Sequence, residues 1–148
     1  LHLFATMNQA SQGVFPLDTA FKRRWSFHYM PLDGRGIDKK FNEKVKLSDT
    51  DEREWQDIRK GINTALKVPD LKIPEDRLLG AYFLSAEELE GSEKARKSIK
   101  DKVLPYLWND VVPRRRDKIF DVSTLDDARK SEYFGITALK PNDNDAAQ

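Results

Sequence analysis

Residues 4–8, FATMN, and residues 15–25, FPLDTAFKRRW, are the most informative stretches of this sequence. The apolar residues 1–6 are typical of the end of a buried strand. Residues 7–16 are rich in Asn, Gln, Ser, Gly and Pro, which is typical of a loop. The sequence therefore predicts a strand that presents the amide side chain of Asn8 just beyond its end.

A short helix and a second strand are predicted to follow this loop. Residues 17–24 place apolar side chains at helical spacing, with an acidic residue early and basic residues late, which suits the helix dipole. Residues 25–30 alternate in character, so that their aromatic side chains share one face of a strand. Pro and Gly residues then interrupt the chain, and this predicts a domain boundary near residue 36.

From residue 37 onward the apolar pattern is helical. Residues 55–66 carry an apolar stripe at steps of three and four. Asp51 with Glu54 resembles a capping arrangement at the start of that stripe. These features predict a helix that buries one face.

Three further signals divide the second half of the chain into helices. Ser85 with Glu88 forms an S-x-x-E capping box that should open a short helix. Pro105 cannot lie deep in a helix without loss of a backbone hydrogen bond, so we expect a kink or a new helix there. A last helix is expected over residues 124–133, and the polar residues 140–148 are expected to fray.

Composition excludes several classes of function. The chain has 26 basic and 25 acidic residues, so its net charge of +1 gives no general reason to bind nucleic acid or a membrane. The absence of cysteine excludes disulfides and thiolate metal sites, and it fits a cytoplasmic protein. His2 and His28 cannot build a zinc cluster by themselves. No metal site and no membrane partner are expected.

Asn8, Arg23 and Arg24 are the candidate catalytic residues. An amide at the carboxyl end of a strand can hold a water or a phosphate oxygen through its donor and acceptor. Arginine at a helix end presents a rigid, permanently charged fork that suits phosphate. Such an arginine, offered to a nucleotide on a neighbouring subunit, can stabilise the charge that develops in phosphoryl transfer.

At these residues the sequence resembles the AAA+ ATPases, and within them the McrB-like GTPases of modification-dependent restriction systems. The shared motifs are a strand ending in T-M-N and a helix of the form D-x-A-x-x-R-R-[FW], which match residues 6–8 and 18–25. The resemblance implies that Asn8 is the first sensor, which positions the attacking water. It implies that Arg23 or Arg24 is an arginine finger that acts across a subunit interface.

The resemblance extends to the helical lid of the same family, through residues 79–83, LGAYF, and 102–107, KVLPYL. The family often has a histidine at the position of Ala81. The second sensor is therefore not matched, and Arg77 is the nearest candidate for contacting nucleotide. Ser11 and Gln12 also replace the acidic residue and arginine that usually follow T-M-N.

The implied fold is mixed α/β and mostly helical. Residues 1–36 would form the end of an AAA+ α/β nucleotide-binding core with one or two strands, residues 37–139 an α-helical lid, and residues 140–148 a disordered tail. The chain opens at Leu1 inside an apolar run and lacks G-x-x-x-x-G-K-[ST], so we interpret it as a fragment that is inactive alone.

The resemblance also implies cofactors and partners for the full-length protein. ATP or GTP with Mg²⁺ would bind there, and none is expected on the fragment alone. A finger supplied to a neighbour implies a homo-oligomeric ring, with a nuclease subunit as a possible partner and DNA acted on indirectly.

Two other interpretations compete with the motor. The mostly helical stretch from residue 37 is also compatible with a non-catalytic protein-interaction module. Arg114, Arg115 and Arg116 are compatible with a nucleic-acid-binding domain, although the nearly neutral net charge argues against it.

Overall fold

The computed structural model describes residues 2–5, 18–33 and 36–141. The fold is mixed α/β with more helix than strand, as predicted. The helices and strands are α1 (Thr19–Lys22), β1 (Lys44–Lys46), β2 (Glu52–Glu54), α2 (Trp55–Leu66), α3 (Ser92–Ser98), α4 (Leu104–Tyr106) and α5 (Leu125–Lys130). Short 3-10 helices lie at Lys39–Phe41, Glu75–Arg77, Arg116–Lys118 and Thr137–Leu139, and π-helical turns lie at Ile99–Val103 and Leu107–Val111. Glu132–Gly135 forms a tight turn.

Helix α2 forms as the apolar stripe predicts. Trp55, Ile58, Ile62 and Leu66 lie on one face, and each is completely buried. Each buried side chain of this size contributes about 2 kcal/mol by leaving water. The helix therefore forms one wall of the core, and the opposing side chains come from α3 to α5 with their π-helical turns, from β1, and from the loops and 3-10 segments between and after them.

A small antiparallel hairpin precedes α2 and differs from the sequence prediction. Strands β1 and β2 pair with Lys44 opposite Glu54 and Lys46 opposite Glu52, so unlike charges face each other across the ladder. Asp51 does not cap α2, because Glu52–Glu54 is a strand and the helix begins after it. The prediction missed the hairpin because each strand is only three residues long.

The helix around Pro105 continues instead of breaking. Residues 98, 103, 104, 106 and 107 keep right-handed helical backbone angles, and α4 begins at Leu104, one residue before the proline. The Leu104 N–H donates to the carbonyl of Ile99, five residues back. A widened turn of this kind relieves the clash between the proline ring and the carbonyl four residues earlier. The prediction of a new helix at Pro105 is therefore wrong, because the helix runs through the proline without interruption, and the alternative of a kink stays a prediction.

The two predicted core strands are absent from the described residues. Residues 2–5 and 25–30 have no strand assignment, and Phe4 and Met30 are 94% and 77% exposed. A strand needs a neighbouring strand to satisfy its backbone groups. Within the described ranges β1 pairs only with β2, so these segments have no ladder partner. Helix α1 does form, inside the predicted range 17–24.

The predicted capping box forms, but the helix after it does not. Ser85 N–H donates to the Glu88 carboxylate at 2.7 Å, and Glu88 N–H donates to the Ser85 hydroxyl at 3.1 Å. Residues 86–90 are turns, which end before α3. The box therefore closes a compact turn instead of opening a helix.

The last predicted helix ends earlier than expected. Helix α5 is capped by Thr124, whose hydroxyl accepts from Asp127 N–H at 3.1 Å, and it stops after Lys130. Tyr133 and Phe134 then adopt left-handed backbone angles, and the chain forms an isolated bridge between Phe120 and Ile136.

Residues on both sides of the predicted boundary at residue 36 contact each other. Ala81 N–H donates to the carbonyl of Leu32 at 3.3 Å, and the Tyr29 hydroxyl donates to Glu75 at 2.8 Å. The hydrogen bond to the Glu75 carboxylate raises the pKa of Tyr29. The division at residue 36 and the disordered tail stay predictions.

Candidate functional site

Arg23 and Arg24 lie in the turn that follows α1, and both are exposed. The Arg23 N–H donates to Thr19 carbonyl at 3.1 Å, which holds the turn onto the helix. Neither guanidinium forms an ion pair with another described residue. Both side chains are therefore available to an anion from outside the chain. Asn8, the predicted first sensor, lies outside the described residues.

Arg77 is held against the end of the π-helical turn Leu107–Val111. Its Nη1 donates to the carbonyl of Asp110 at 3.2 Å, and its own carbonyl accepts from the Tyr106 hydroxyl at 3.1 Å. Burial raises the pKa of Tyr106, and the nearby charges of Asp110 and Asp76 add to the rise while Arg77 opposes it. Arg77 is thus held both at its backbone carbonyl and at one nitrogen of its guanidinium, with the residue exposed at the surface.

Arg77, Arg114 and Arg115 line one open cavity of about 340 Å³. The remaining lining residues are Leu71, Ile73, Val111, Val112 and Pro113. The fold therefore brings the nucleotide-contact candidate together with two arginines that were considered for nucleic acid. We call this feature the arginine cavity.

Arg116 does not join the arginine cavity. Its Nε donates to the carbonyl of Trp108 at 3.0 Å, and its guanidinium lies 5.0 Å from the centre of the Trp108 ring. The ring of Trp108 in turn packs against that of Phe120, with 4.8 Å between the two ring centres. The three consecutive arginines therefore divide into two that face the cavity and one that packs against the core.

A buried polar network on α2 was missed by the sequence analysis. Gln56, Arg59 and Asn63 lie on the core side of the helix, with Arg59 completely buried. Arg59 and Asn63 both donate to the carbonyl of Leu79 at 2.8 Å, and Asn63 accepts from Leu79 N–H at 2.9 Å. In the sequence, the signal for this network is the spacing of three and four residues between its polar members. Polar residues on a solvent-exposed helix face have the same spacing, so the pattern does not distinguish the two cases.

Asp33 supplies the counter-charge for the buried guanidinium. Arg59 Nη2 donates to Asp33 at 3.0 Å, and Arg59 Nε donates to Gln56 at 2.8 Å. The Asp33 side chain is 61% exposed whereas that of Arg59 is fully buried. The pair therefore reaches from the interior to the surface, where water screens the carboxylate.

No group of metal-ligating side chains occurs among the residues that the structure describes. None of the helices in the same ranges is both long and apolar enough to cross a bilayer.

The chain is similar in sequence to a known protein. It is 45% identical over 118 residues to the protein described as "Type II restriction enzyme BsuMI component YdiS" from Bacillus subtilis (strain 168). The match covers 74% of this chain, and the chain spans about 30% of the length of that relative. No protein-family model matches the chain, and no solved structure matches it.

Proposed function

We propose that this chain is part of a nucleotide-hydrolysing AAA+ motor of a DNA restriction system. The McrB-like motifs support the motor, and the relative described as a restriction enzyme component supports the system in which it works. In the full-length protein the chain would supply sensor and arginine-finger residues at a subunit interface. By itself it would be inactive, because it lacks a phosphate-binding loop.

The observation that carries this proposal is the exposure of Arg23 and Arg24 at the end of α1. An arginine already paired with its own fold would have to break that pair before it could reach a neighbour's nucleotide. These two have no such partner among the described residues. They match, by motif, the position at which an arginine finger is expected.

In the proposed mechanism, two neighbouring subunits contribute residues to each nucleotide-hydrolysis site. Asn8 would hold the attacking water near the terminal phosphate of ATP or GTP. Arg23 or Arg24 of the neighbouring subunit would stabilise the charge that spreads over the transferred phosphoryl group. Mg²⁺ on the nucleotide would supply further neutralisation. A homo-oligomeric ring follows because each site needs a residue from its neighbour, and a nuclease subunit could then use the resulting motion on DNA.

The test uses the full-length protein with Arg23→Ala and Arg24→Ala, singly and together. Loss of a finger should lower nucleotide turnover by about 10³-fold or more, with little change in nucleotide binding. Lys22→Ala, which removes an exposed cation from the end of α1 beside these arginines, is the matched control. Equal turnover in all variants would reject the arginine-finger assignment.

Mixing experiments separate a finger acting in trans from one acting in its own subunit. Subunits that carry Arg23→Ala with Arg24→Ala should lower the turnover of unmodified subunits in mixed rings. A turnover that falls only in proportion to the added variant would contradict the shared site.

A non-catalytic helical interaction module is the second candidate. It is favoured by the hydrophobic core that forms after residue 37, where helices outnumber the two short strands. The coding sequence upstream distinguishes the two, because a phosphate-loop motif about 100 to 150 residues before Leu1 fits the motor and not the module.

A further inference from the structure

The arginine cavity combines an apolar floor with a cationic rim. We call its apolar lining residues the floor (Leu71, Ile73, Val111, Val112 and Pro113) and its exposed cationic lining residues the rim (Arg77, Arg114 and Arg115). No carboxylate lines it. A volume of about 340 Å³ lies at the small end of the range for ligand sites and accommodates one large side chain with its neighbours.

The three rim guanidiniums are not paired with a carboxylate of the described chain, unlike Arg129 and Lys102 elsewhere on the molecule. Arg129 pairs with Asp101 at 2.7 Å, and Lys102 pairs with Glu88 at 3.0 Å. Among described residues, none of the rim arginines forms an ion pair. Three like charges beside one apolar surface repel each other, and an anionic ligand relieves that repulsion.

Charges around the rim limit the length of that ligand. Asp76 adjoins Arg77 in sequence, Asp110 adjoins the floor residue Val111, and Asp117 follows soon after the rim. The phosphates of a DNA duplex extend past the cavity and would meet these carboxylates. A short segment with few charges avoids them. The apolar floor also favours a ligand with an apolar side chain over a phosphate backbone, whose contacts are polar.

We propose that the arginine cavity docks a short acidic peptide segment of a partner protein, with an apolar side chain on the floor and flanking carboxylates on the rim. A bidentate pair between arginine and carboxylate supplies orientation, and the apolar residue supplies buried area. The inference does not depend on the arginine finger, because the cavity shares no residue with Arg23 and Arg24.

The test uses the full 148-residue chain and a fluorescein-labelled nonapeptide. The peptide has a central leucine with one glutamate on each side of it. Fluorescence anisotropy at low salt should detect binding. A peptide with glutamine in place of every glutamate should bind at least about fivefold more weakly, and a peptide with glycine in place of leucine should also lose affinity.

Variants assign the binding to the cavity. Arg114→Ala and Arg115→Ala should each weaken binding by about three- to tenfold, since exposed charge pairs contribute modestly. Lys118→Ala removes a cation from the adjacent 3-10 helix and should change affinity by less than about twofold. The two arginines have exposed side chains, so these variants remain informative even if Arg77→Ala disturbs the fold.

The proposal would be overturned by absence of binding by the acidic peptide, by equal binding of the glutamine peptide, or by equal affinity in all variants. Tighter binding of a 20-base-pair duplex than of the peptide would overturn it as well. Binding of ATP in place of the peptide, lost in Arg77→Ala, would also overturn it and return Arg77 to the role of second sensor. Each result leaves the turnover test of Arg23 and Arg24 unaffected.

Discussion

Arg59 is completely buried and joins three segments of the chain through its hydrogen bonds. A fully buried guanidinium is costly unless its donors are satisfied. Here they reach Gln56, the carbonyl of Leu79 and the carboxylate of Asp33. The network therefore links α2, the loop before Ala81 and the chain ahead of residue 36 through one side chain.

Arg59→Ala should lower the free energy of unfolding by about 3 kcal/mol. The substitution leaves a cavity and removes the donors that Leu79 and Gln56 use. Asp33→Asn should cost less than about 1 kcal/mol, because Asp33 is mostly exposed and the amide oxygen can still accept. Urea unfolding measures both, with Lys60→Ala on the solvent side of α2 as the control. Equal losses in Arg59→Ala and Lys60→Ala would contradict the network's role.

Glu88 gives the turn after Ser85 a pH dependence. The Ser85 N–H lowers the pKa of the Glu88 carboxyl, and the Lys102 ammonium adds to the effect against some loss of hydration. A carboxyl whose pKa is lower in the folded state stabilises the fold above its unfolded pKa and loses that effect as the pH falls. Glu88→Gln should therefore cost about 0.5 to 1 kcal/mol at pH 7.

That difference should shrink as the pH falls below about 4.3, because the unmodified carboxyl then takes up its proton. Urea unfolding of both proteins from pH 7 to pH 3 measures it. Glu87→Gln, next to Glu88 and strongly exposed, should show little difference at either pH. A difference for Glu88→Gln that stays constant over this range would show that the charge is not involved.

At the scale of elements, the bridge between Phe120 and Ile136 depends on Gly135. This glycine has a φ of +62°, and a Cβ there would lie 2.8 Å from a methyl group of Val122. Its carbonyl also accepts from Asp121 N–H at 2.9 Å. Both the backbone angle and the close approach therefore exclude a side chain.

Gly135→Ala should lower the free energy of unfolding by about 2 kcal/mol, from backbone strain and the contact with Val122. Gly80→Ala is the matched control, because a Cβ there meets nothing within 4 Å. It should be neutral or slightly stabilising. Thermal unfolding of the two variants measures the contrast, and similar melting temperatures would contradict it.

Elements with a long apolar period could be predicted, and short ones could not. Helix α2 has four buried residues on one face over twelve positions, which is enough to define a period. Strands β1 and β2 have three residues each, and Val45 is the single apolar residue between them. The segments 2–5 and 25–30 look like strands by composition, but a strand depends on a partner that composition does not reveal.

At the scale of the whole molecule, apolar side chains are exposed on the segment 25–30, which the sequence predicted to be a strand. Phe27, Tyr29 and Met30 are 55%, 70% and 77% exposed. We infer that another part of the protein covers this segment, because exposed apolar clusters commonly mark interaction surfaces. Under the proposed function that part is the remainder of an AAA+ core.

Phe27→Ser with Met30→Ser should leave the melting temperature of the 148-residue chain nearly unchanged, since both side chains are exposed. In the full-length protein the same pair should lower the free energy of unfolding by about 3 kcal/mol or more, if residues 25–30 are a buried core strand. Thermal unfolding of both proteins measures the contrast. An equal, small effect in both would favour the interaction module.

The candidate sites could be predicted only where a local motif carries them. Arg23 and Arg24 follow from a motif of eight consecutive residues, and the structure leaves both exposed. The arginine cavity joins Arg77 to Arg114 and Arg115 across a long sequence separation. Side chains from distant segments meet only through packing of the elements between them, which no local pattern encodes.

The shared oxygen of Leu79 also constrains how this molecule can vary. This carbonyl accepts hydrogen bonds from the side chains of Arg59 and Asn63. Replacing one of them leaves the other polar side chain buried in an incomplete hydrogen-bond network. Related chains should thus inherit Gln56, Arg59 and Asn63 together or replace them together. The aliphatic neighbours Ile58 and Ile62 should instead drift independently among residues of similar volume.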